Sequence, residues 1–157
     1  MKEKTTQLLA YLIQGQPGVS ITSLMKLSYI CDIVSIKKYD KQISNFEYIR
    51  YKYGPFNTSI YEHISKLLIQ GVIKEEHDYT PMGQEFITYK YTDNAEMSID
   101  KISAKEKEVI NEVVDSLRGY GARALVDVSY NTKPMKKLGA KQDNEKGMNE
   151  PLDLWAR

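Results

Sequence analysis

The first forty residues combine apolar runs of helical spacing with short polar breaks. Apolar side chains at positions 8–13 recur on one helix face, and Gly15 ends the run. Ser20 is a typical N-cap residue, and the following residues are apolar almost all round. The pattern therefore predicts two helices, of which the second, from Ile21 to Tyr39, is the buried central one.

A period of two replaces the helical period after a polar turn at residues 40–45. Residues 46–53 alternate and are rich in aromatic and β-branched side chains, which predicts one strand. Gly54 and Pro55 are predicted to end it, because proline cannot donate to a strand ladder. The alternation places Ile49, Tyr51 and Tyr53 on one face and Tyr48, Arg50 and Lys52 on the other.

The next segment has the order helix, glycine, strand, loop and strand. A third helix is predicted after a cap within residues 57–59, and Gly71 stands where a left-handed C-cap belongs. Two β-prone pieces follow, near 72–73 and 86–91, around a polar loop. This order is typical of a winged helix-turn-helix. The apolar stripe of the third helix contains Ile60, Tyr61, Ile64, Leu67 and Leu68.

Two more helices are predicted after a polar connector at residues 92–101. Ser103 and Glu106 have the spacing of a capping box, and a last helix begins near Ala122. The fold class is mainly α with a small β element, a helical bundle built on a winged-helix-like arrangement. We expect a domain at residues 1–132 and a polar tail at 133–157 that is mobile or docked to a partner. Leu152, Leu154 and Trp155 are the candidate docking residues of the tail.

Composition limits the classes of partner. The chain has 157 residues, with 22 Lys and Arg against 21 Asp and Glu, so the formal net charge is only +1. This balance argues against a dominant nucleic-acid or membrane surface. Cys31 is the only cysteine, which suits a reducing compartment, and no leader or membrane span is predicted. We therefore expect a cytoplasmic protein without membrane contact.

The sequence has no pattern that indicates catalysis, a metal site or a cofactor. His63 and His77 have no metal-ligand spacing. Glu75, Glu76, His77 and Asp78 could loosely hold a cation, but a solvated loop is the favoured interpretation. Cys31 lies among aliphatic residues in the predicted central helix. Gly119 and Gly121 do not follow a strand pattern, so no phosphate-binding loop is predicted. We expect no enzyme activity and no bound cofactor.

Asp32 is the one acidic residue inside the apolar second helix. A buried carboxylate is costly unless it is paired or hydrogen-bonded. Arg50, Lys52 or a tyrosine hydroxyl could supply the partner. We predict that Asp32, together with Tyr29, is a structural anchor, and the alternative is that Asp32 holds the Gly-Pro turn for function.

Two binding functions remain open for the segment around Gly54 and Pro55. Tyrosine and arginine are frequent at protein interfaces, and a rigid turn preorganises the surface. The alternative is a winged-helix DNA-binding regulator, but the third helix has a single lysine, Lys66, and the wing loop is acidic. The predicted partner-binding residues are Tyr48, Arg50, Lys52, Tyr53, Gly54, Pro55 and Tyr61.

The segment "LMKLSYICDIVSIKKYDKQISNFEYIRYKYGPFNTSIYEHISKLLIQGVI" resembles the Panacea domain of SocA-like antitoxins. The resemblance extends from about Leu8 to Leu138 and is strongest between Lys26 and Ile73. Two positions depart from the family pattern: Asp40 replaces a glycine, and "SYNTKPM" replaces a histidine followed by Pro-Trp. The matching residues are Lys26, Leu27, Tyr29, Asp32, Tyr39, Ile43, Ser44, Lys52, Tyr53, Gly54, Pro55 and Tyr61.

The resemblance implies an antitoxin of a toxin-antitoxin system, and the departures from the family pattern suggest a divergent form carried by a phage or prophage. Such a protein would neutralise its toxin by direct binding or by presenting it to a protease. The partner implied is therefore a protein, while DNA is the less supported alternative. The resemblance does not name the toxin.

Overall fold

A computed structural model describes residues 2–93 and 97–157, so part of the predicted connector 92–101 lies outside the described residues. The strands form two separate antiparallel pairs, and helices make up most of the rest, which confirms a mainly α fold with a small β element. The elements in chain order are α1 (Lys2–Gly15), α2 (Ile21–Tyr39), β1 (Ile49–Tyr51), β2 (Gly54–Phe56), α3 (Ile60–Ile69), β3 (Ile73–Tyr79), β4 (Glu85–Tyr91), α4 (Ala104–Ser116), α5 (Ala122–Tyr130) and α6 (Lys133–Lys137).

Helix α2 is the centre of the fold, as predicted. It packs against α1, α4, α5, β2 and β4. At its start the Ser20 hydroxyl accepts from the Ser23 N–H at 3.2 Å. At its end Asp40 adopts the left-handed conformation, with φ 55°, and donates its N–H to the Ile36 carbonyl at 2.8 Å. These two caps define its ends, and burial on several sides explains its nearly continuous apolar sequence.

The prediction of one strand ending at Gly54–Pro55 is wrong, because these residues begin β2. β1 and β2 form an antiparallel hairpin in which Arg50 lies opposite Pro55. The Arg50 N–H points away from β2 and donates to the Glu150 carbonyl at 2.9 Å. Pro55 therefore occupies a non-hydrogen-bonded pair, where its missing N–H costs no ladder bond.

Helix α3 and the β3–β4 hairpin follow the predicted order of helix, glycine, strand, loop and strand. The predicted bounds are wrong, because β3 extends to Tyr79 and includes the acidic residues that were assigned to the wing loop. The Asn57 side-chain oxygen accepts from the Ser59 N–H at 2.9 Å before α3, and Gly71 follows it with φ +73°. Tyr61, predicted in the apolar stripe of α3, is instead exposed. The winged-helix assignment as a whole stays a prediction.

The capping box predicted before α4 is present. The Ser103 hydroxyl accepts from the Glu106 N–H at 3.1 Å, and the Glu106 carboxylate accepts from the Ser103 N–H at 3.0 Å. The second carboxylate oxygen of Glu106 accepts from Lys4 Nζ at 2.6 Å. The cap therefore also ties the start of α4 to α1.

Ser103→Ala is expected to lower the free energy of unfolding by about 1 kcal/mol, because it removes the acceptor of one orphan helix N–H. Denaturant titration followed by circular dichroism measures this. Ser65→Ala is the matched control, since Ser65 is exposed inside α3 and alanine is the better helix former. Equal stability of the two variants would contradict a stabilising cap.

Residues 133–157 do not form a detached tail. They begin with α6, where Pro134 and Met135 are buried, and Leu152 and Leu154 are buried further on. This part of the chain carries few apolar residues, but the structure places several of them against the body of the fold. The predicted boundary after residue 132 therefore does not mark the edge of the packed fold.

The end of the chain covers the outer edge of β1. Leu152 donates its N–H to the Tyr48 carbonyl at 2.9 Å, and Asn149 donates to the Arg50 carbonyl at 2.7 Å. Trp155 is half exposed, and its indole N–H donates to an Asp40 carboxylate oxygen at 2.9 Å. Residues 149–152 thus act as a short third strand of the β1–β2 hairpin.

Candidate functional site

Asp32 fixes the loop that leads from α2 to β1. Its carboxylate is fully buried. Oδ1 accepts from the N–H groups of Ile43 and Ser44 at 3.0 and 2.9 Å, and Oδ2 accepts from the hydroxyls of Ser44 and Tyr48 at 2.5 and 2.7 Å. Burial raises the pKa of Asp32, and these hydrogen bonds oppose that rise. Of the partners considered from the sequence, the structure provides the tyrosine hydroxyl.

Tyr29 links the central helix to the start of α6. Its buried ring meets the Tyr48 ring edge-on, with centroids 5.2 Å apart. Its hydroxyl forms a 2.6 Å hydrogen bond with the Thr132 hydroxyl. Burial raises the pKa of Tyr29, and the Thr132 bond opposes this. Asp32 therefore joins α2 to the loop that follows it, whereas Tyr29 joins α2 to a segment about a hundred residues further along the chain.

Arg50 is the largest of the fully buried side chains, with only 1% of its surface exposed. No carboxylate accepts from it among the described residues. Its guanidinium instead donates to the backbone carbonyls of Lys141, Asn144 and Lys146 at 2.7, 2.8 and 2.5 Å. It also donates to the Tyr130 hydroxyl at 3.2 Å and lies 5.5 Å from the centre of that ring. Arg50 thereby holds residues 141–146 on the hairpin.

The expected exposed strand face is wrong for two of its three residues. Tyr48 and Arg50 are buried, at 2% and 1% exposure, and only Lys52, in the hairpin turn, is exposed. Alternation along a strand separates two faces but does not say which one the rest of the chain covers. Here residues 139–152 and α5 cover the Arg50 side, a contact that local sequence does not reveal.

The exposed surface of the hairpin and the start of α3 carries a different group of aromatic rings. Tyr51 and Tyr61 are about half exposed, and the half-buried ring of Phe56 lies between them. Ring centroids are 5.7 Å apart for Tyr51 and Phe56, and 6.2 Å apart for Phe56 and Tyr61. We call these three residues the aromatic face. Tyr53, 64% exposed, stands beside it in the turn.

The aromatic face continues along α3. Ile69 is 86% exposed and lies eight residues after Tyr61, on the same side of the helix. Together with Ser65 and Lys66 these residues line a shallow depression. Large exposed apolar side chains grouped in this way are typical of contact surfaces. Sequence reasoning did not name Tyr51, Phe56 or Ile69 as contact residues, and the only signal for them was their aromatic or aliphatic side chain.

Gly54, at the start of β2, has an unusual backbone conformation and lies against the buried side chain of Lys26. Gly54 has φ +115°, a conformation that side chains disfavour, and a Cβ there would lie 3.6 Å from the Lys26 Cε. Lys26 is buried and donates a long 3.4 Å hydrogen bond to the Thr22 carbonyl. Desolvation lowers the pKa of Lys26 to about 8. Gly54, which follows the turn, therefore lies close to the buried Lys26 side chain.

A family model described as "Antitoxin SocA-like, Panacea domain" matches residues 24–135. The chain belongs to this family. Searches among curated proteins and among solved structures gave no match. The family match confirms the resemblance found in the sequence and implies a partner that is a protein.

The Panacea match extends from α2 to α6 and contains both structural anchors and the aromatic face. It also contains every residue predicted to bind a partner, although their contact role stays a prediction. Tyr53 and Tyr61 are exposed with Lys52, whereas Gly54 and Pro55 are buried in β2. None of the described helices combines the length and apolar character needed to cross a membrane.

Proposed function

We propose that this Panacea protein is a cytoplasmic antitoxin that neutralises a cognate toxin by direct binding through the aromatic face. The observation that carries the proposal is the row formed by exposed Tyr51, half-buried Phe56 and exposed Tyr61, which joins the β1–β2 hairpin to the start of α3. Buried polar groups hold the other side of this hairpin. Rigid exposed tyrosines lose little side-chain entropy on binding. Membership of an antitoxin family supplies the class of partner.

Lys52 and Tyr53 extend this contact surface around the turn. Both side chains are exposed, and Lys52 uses its backbone carbonyl, not its side chain, to accept from the Tyr130 hydroxyl at 3.3 Å. A cation beside several aromatic rings suits a partner surface with acidic residues around an apolar centre. Presentation of the toxin to a protease remains compatible with the same first step, because it also requires the toxin to be bound.

The winged-helix DNA-binding alternative gains no support from the charges. The hairpin that would serve as the wing carries exposed carboxylates at Glu75, Glu76, Asp78 and Glu85. These would face the phosphates of a duplex and weaken binding. We therefore keep toxin binding as the single proposed function.

The double variant Tyr51→Ala/Tyr61→Ala is expected to weaken toxin binding by about a thousandfold, because truncated hot-spot aromatic residues each cost about 2 kcal/mol or more. The toxin is sought as a neighbouring gene product that arrests growth alone and is harmless when co-expressed with this protein. Calorimetry with the purified pair then gives the affinities.

Tyr39→Ala/Tyr120→Ala is the matched control. It removes two tyrosines of similar exposure that lie outside the aromatic face, and it should bind the toxin within about threefold of the wild type. If Tyr51→Ala/Tyr61→Ala bound the toxin with wild-type affinity, the aromatic face would not be the toxin interface. If the neighbouring gene product did not arrest growth when expressed alone, the proposed antitoxin function would be contradicted.

A further inference from the structure

The β3–β4 hairpin has one open strand edge. The Tyr89 N–H donates to the Val19 carbonyl and the Tyr89 carbonyl accepts from the Gly18 N–H, both at 2.9 Å, so both groups point away from β3. Glu75 lies opposite Tyr89 in the ladder. In an antiparallel pair such a residue also directs its backbone groups outward, as does the residue two positions on, His77. Among the described residues none hydrogen-bonds to these outward groups.

The other strand edges are covered within the chain along part of their length. Residues 149–152 pair with β1, β2 packs against α2 and α5, and β4 is bridged by Val19. Protected edges are normal, because an exposed row of N–H and C=O groups is a template for a further strand. The docked residues 149–152 show how an extended segment fits a strand edge of this fold.

Charge determines which extended segment fits the β3 edge. Residues 73–91 carry four carboxylates, Glu75, Glu76, Asp78 and Glu85, against the two lysines Lys74 and Lys90. Glu85 and Glu75 flank His77 at 2.7 and 3.2 Å and raise its pKa through those hydrogen bonds. A second copy paired antiparallel about Glu76 would place Lys74 opposite Asp78, but both strands would carry the same excess of carboxylates, so a basic strand fits this edge better.

We propose that the open edge of β3 binds an extended, lysine- or arginine-rich segment of a partner protein as an added strand. The backbone of Glu75 and His77 provides the ladder bonds, and the carboxylates around them select basic side chains. At the hairpin tip Tyr79 and Met82, the latter 90% exposed, offer an apolar contact beyond the strand. This surface is separate from the aromatic face, so the proposal does not depend on the proposed function.

The probe is a fluorescent synthetic nonapeptide of alternating lysine and valine, with an alternating glutamate and valine peptide for comparison. The full chain should bind the basic peptide, and amide exchange at Glu75 and His77 should slow on binding. His77→Pro removes one outward N–H and keeps the ladder bonds to β4, and it should weaken binding by about tenfold or more. His77→Ala keeps that N–H and should bind within about threefold of the wild type.

A second variant covers the case in which proline disturbs the hairpin. Glu75→Lys/Asp78→Lys leaves the backbone intact and should reverse the charge preference of the edge. This variant should bind the acidic peptide more tightly than the basic one. Equal binding by His77→Pro and His77→Ala with a folded hairpin would overturn the proposal, as would equal binding of both peptides. Concentration-dependent dimers through β3 would also overturn it in favour of a second copy. Because no toxin is used, these outcomes are distinct from failure of the proposed function.

Discussion

Replacing Asp32 with alanine is expected to lower the free energy of unfolding by about 3 kcal/mol or more. The substitution leaves the N–H groups of Ile43 and Ser44 buried without their acceptor, and each such group costs about 1–3 kcal/mol. The Tyr48 hydroxyl loses its contact with the carboxylate as well. Denaturant titration followed by circular dichroism measures the change, and tyrosine fluorescence follows the loosening around Tyr48.

Asp32→Asn is the matched control because it keeps the shape of the side chain. Its amide oxygen can still accept from both backbone N–H groups, and the hydroxyls of Ser44 and Tyr48 can rotate to accept from its NH₂ group. We expect a loss of about 1 kcal/mol, the net worth of an ordinary hydrogen bond. Equal losses in Asp32→Ala and Asp32→Asn would show that the acceptor itself is not what holds the loop.

The same pair of proteins tests the raised pKa of Asp32. Because burial raises the folded-state pKa above the unfolded value, folding favours the protonated acid. The advantage of wild type over Asp32→Asn is then complete below the unfolded carboxyl pKa and declines as the pH rises through the folded pKa. An advantage that grows over that interval would mean that the hydrogen bonds outweigh desolvation.

Local signals were sufficient for most helices. Ser20 and the apolar run after it gave both ends of α2, and the Ser103–Glu106 pair gave the start of α4, because caps depend on residues only a few positions apart. The β1–β2 hairpin was missed for the opposite reason, because it depends on a residue far along the chain. Pro55 normally ends a strand, and only the pairing of Arg50 with Glu150 shows that its position needs no N–H.

The position of the candidate site along the chain could be predicted from the sequence, but which of its side chains are exposed could not. The residues around Gly54 and Pro55 were identified, yet the side predicted to face a partner faces the interior. Burial of Arg50 depends on carbonyls about ninety residues further along the chain, at 141–146, and no periodicity near Arg50 encodes them. The C-terminal segment covers the Arg50 side of the hairpin, so the aromatic face is the side that remains exposed.

Arg50→Ala is expected to release the C-terminal segment from the hairpin and to lower the free energy of unfolding by about 3 kcal/mol or more. The variant loses charge-assisted hydrogen bonds to the carbonyls of Lys141, Asn144 and Lys146, each worth about 1.5–3 kcal/mol, although part of this is regained by hydration. Two of these carbonyls belong to peptide bonds that trypsin cleaves. Cleavage after Lys141 and Lys146 should therefore accelerate by about tenfold or more.

Cleavage after Lys107, inside α4, separates local release from global unfolding. If the segment detaches from a folded body, cutting after Lys141 and Lys146 accelerates far more than cutting after Lys107. Arg118→Ala is the matched control, because Arg118 is exposed and, within the described part of the chain, forms an ion pair only with Asp115 one turn earlier, a contact worth about 0.5 kcal/mol. Unchanged cleavage after Lys141 and Lys146 in folded Arg50→Ala would show that the buried guanidinium does not hold the segment, and that its apolar contacts through Leu152 and Leu154 are sufficient.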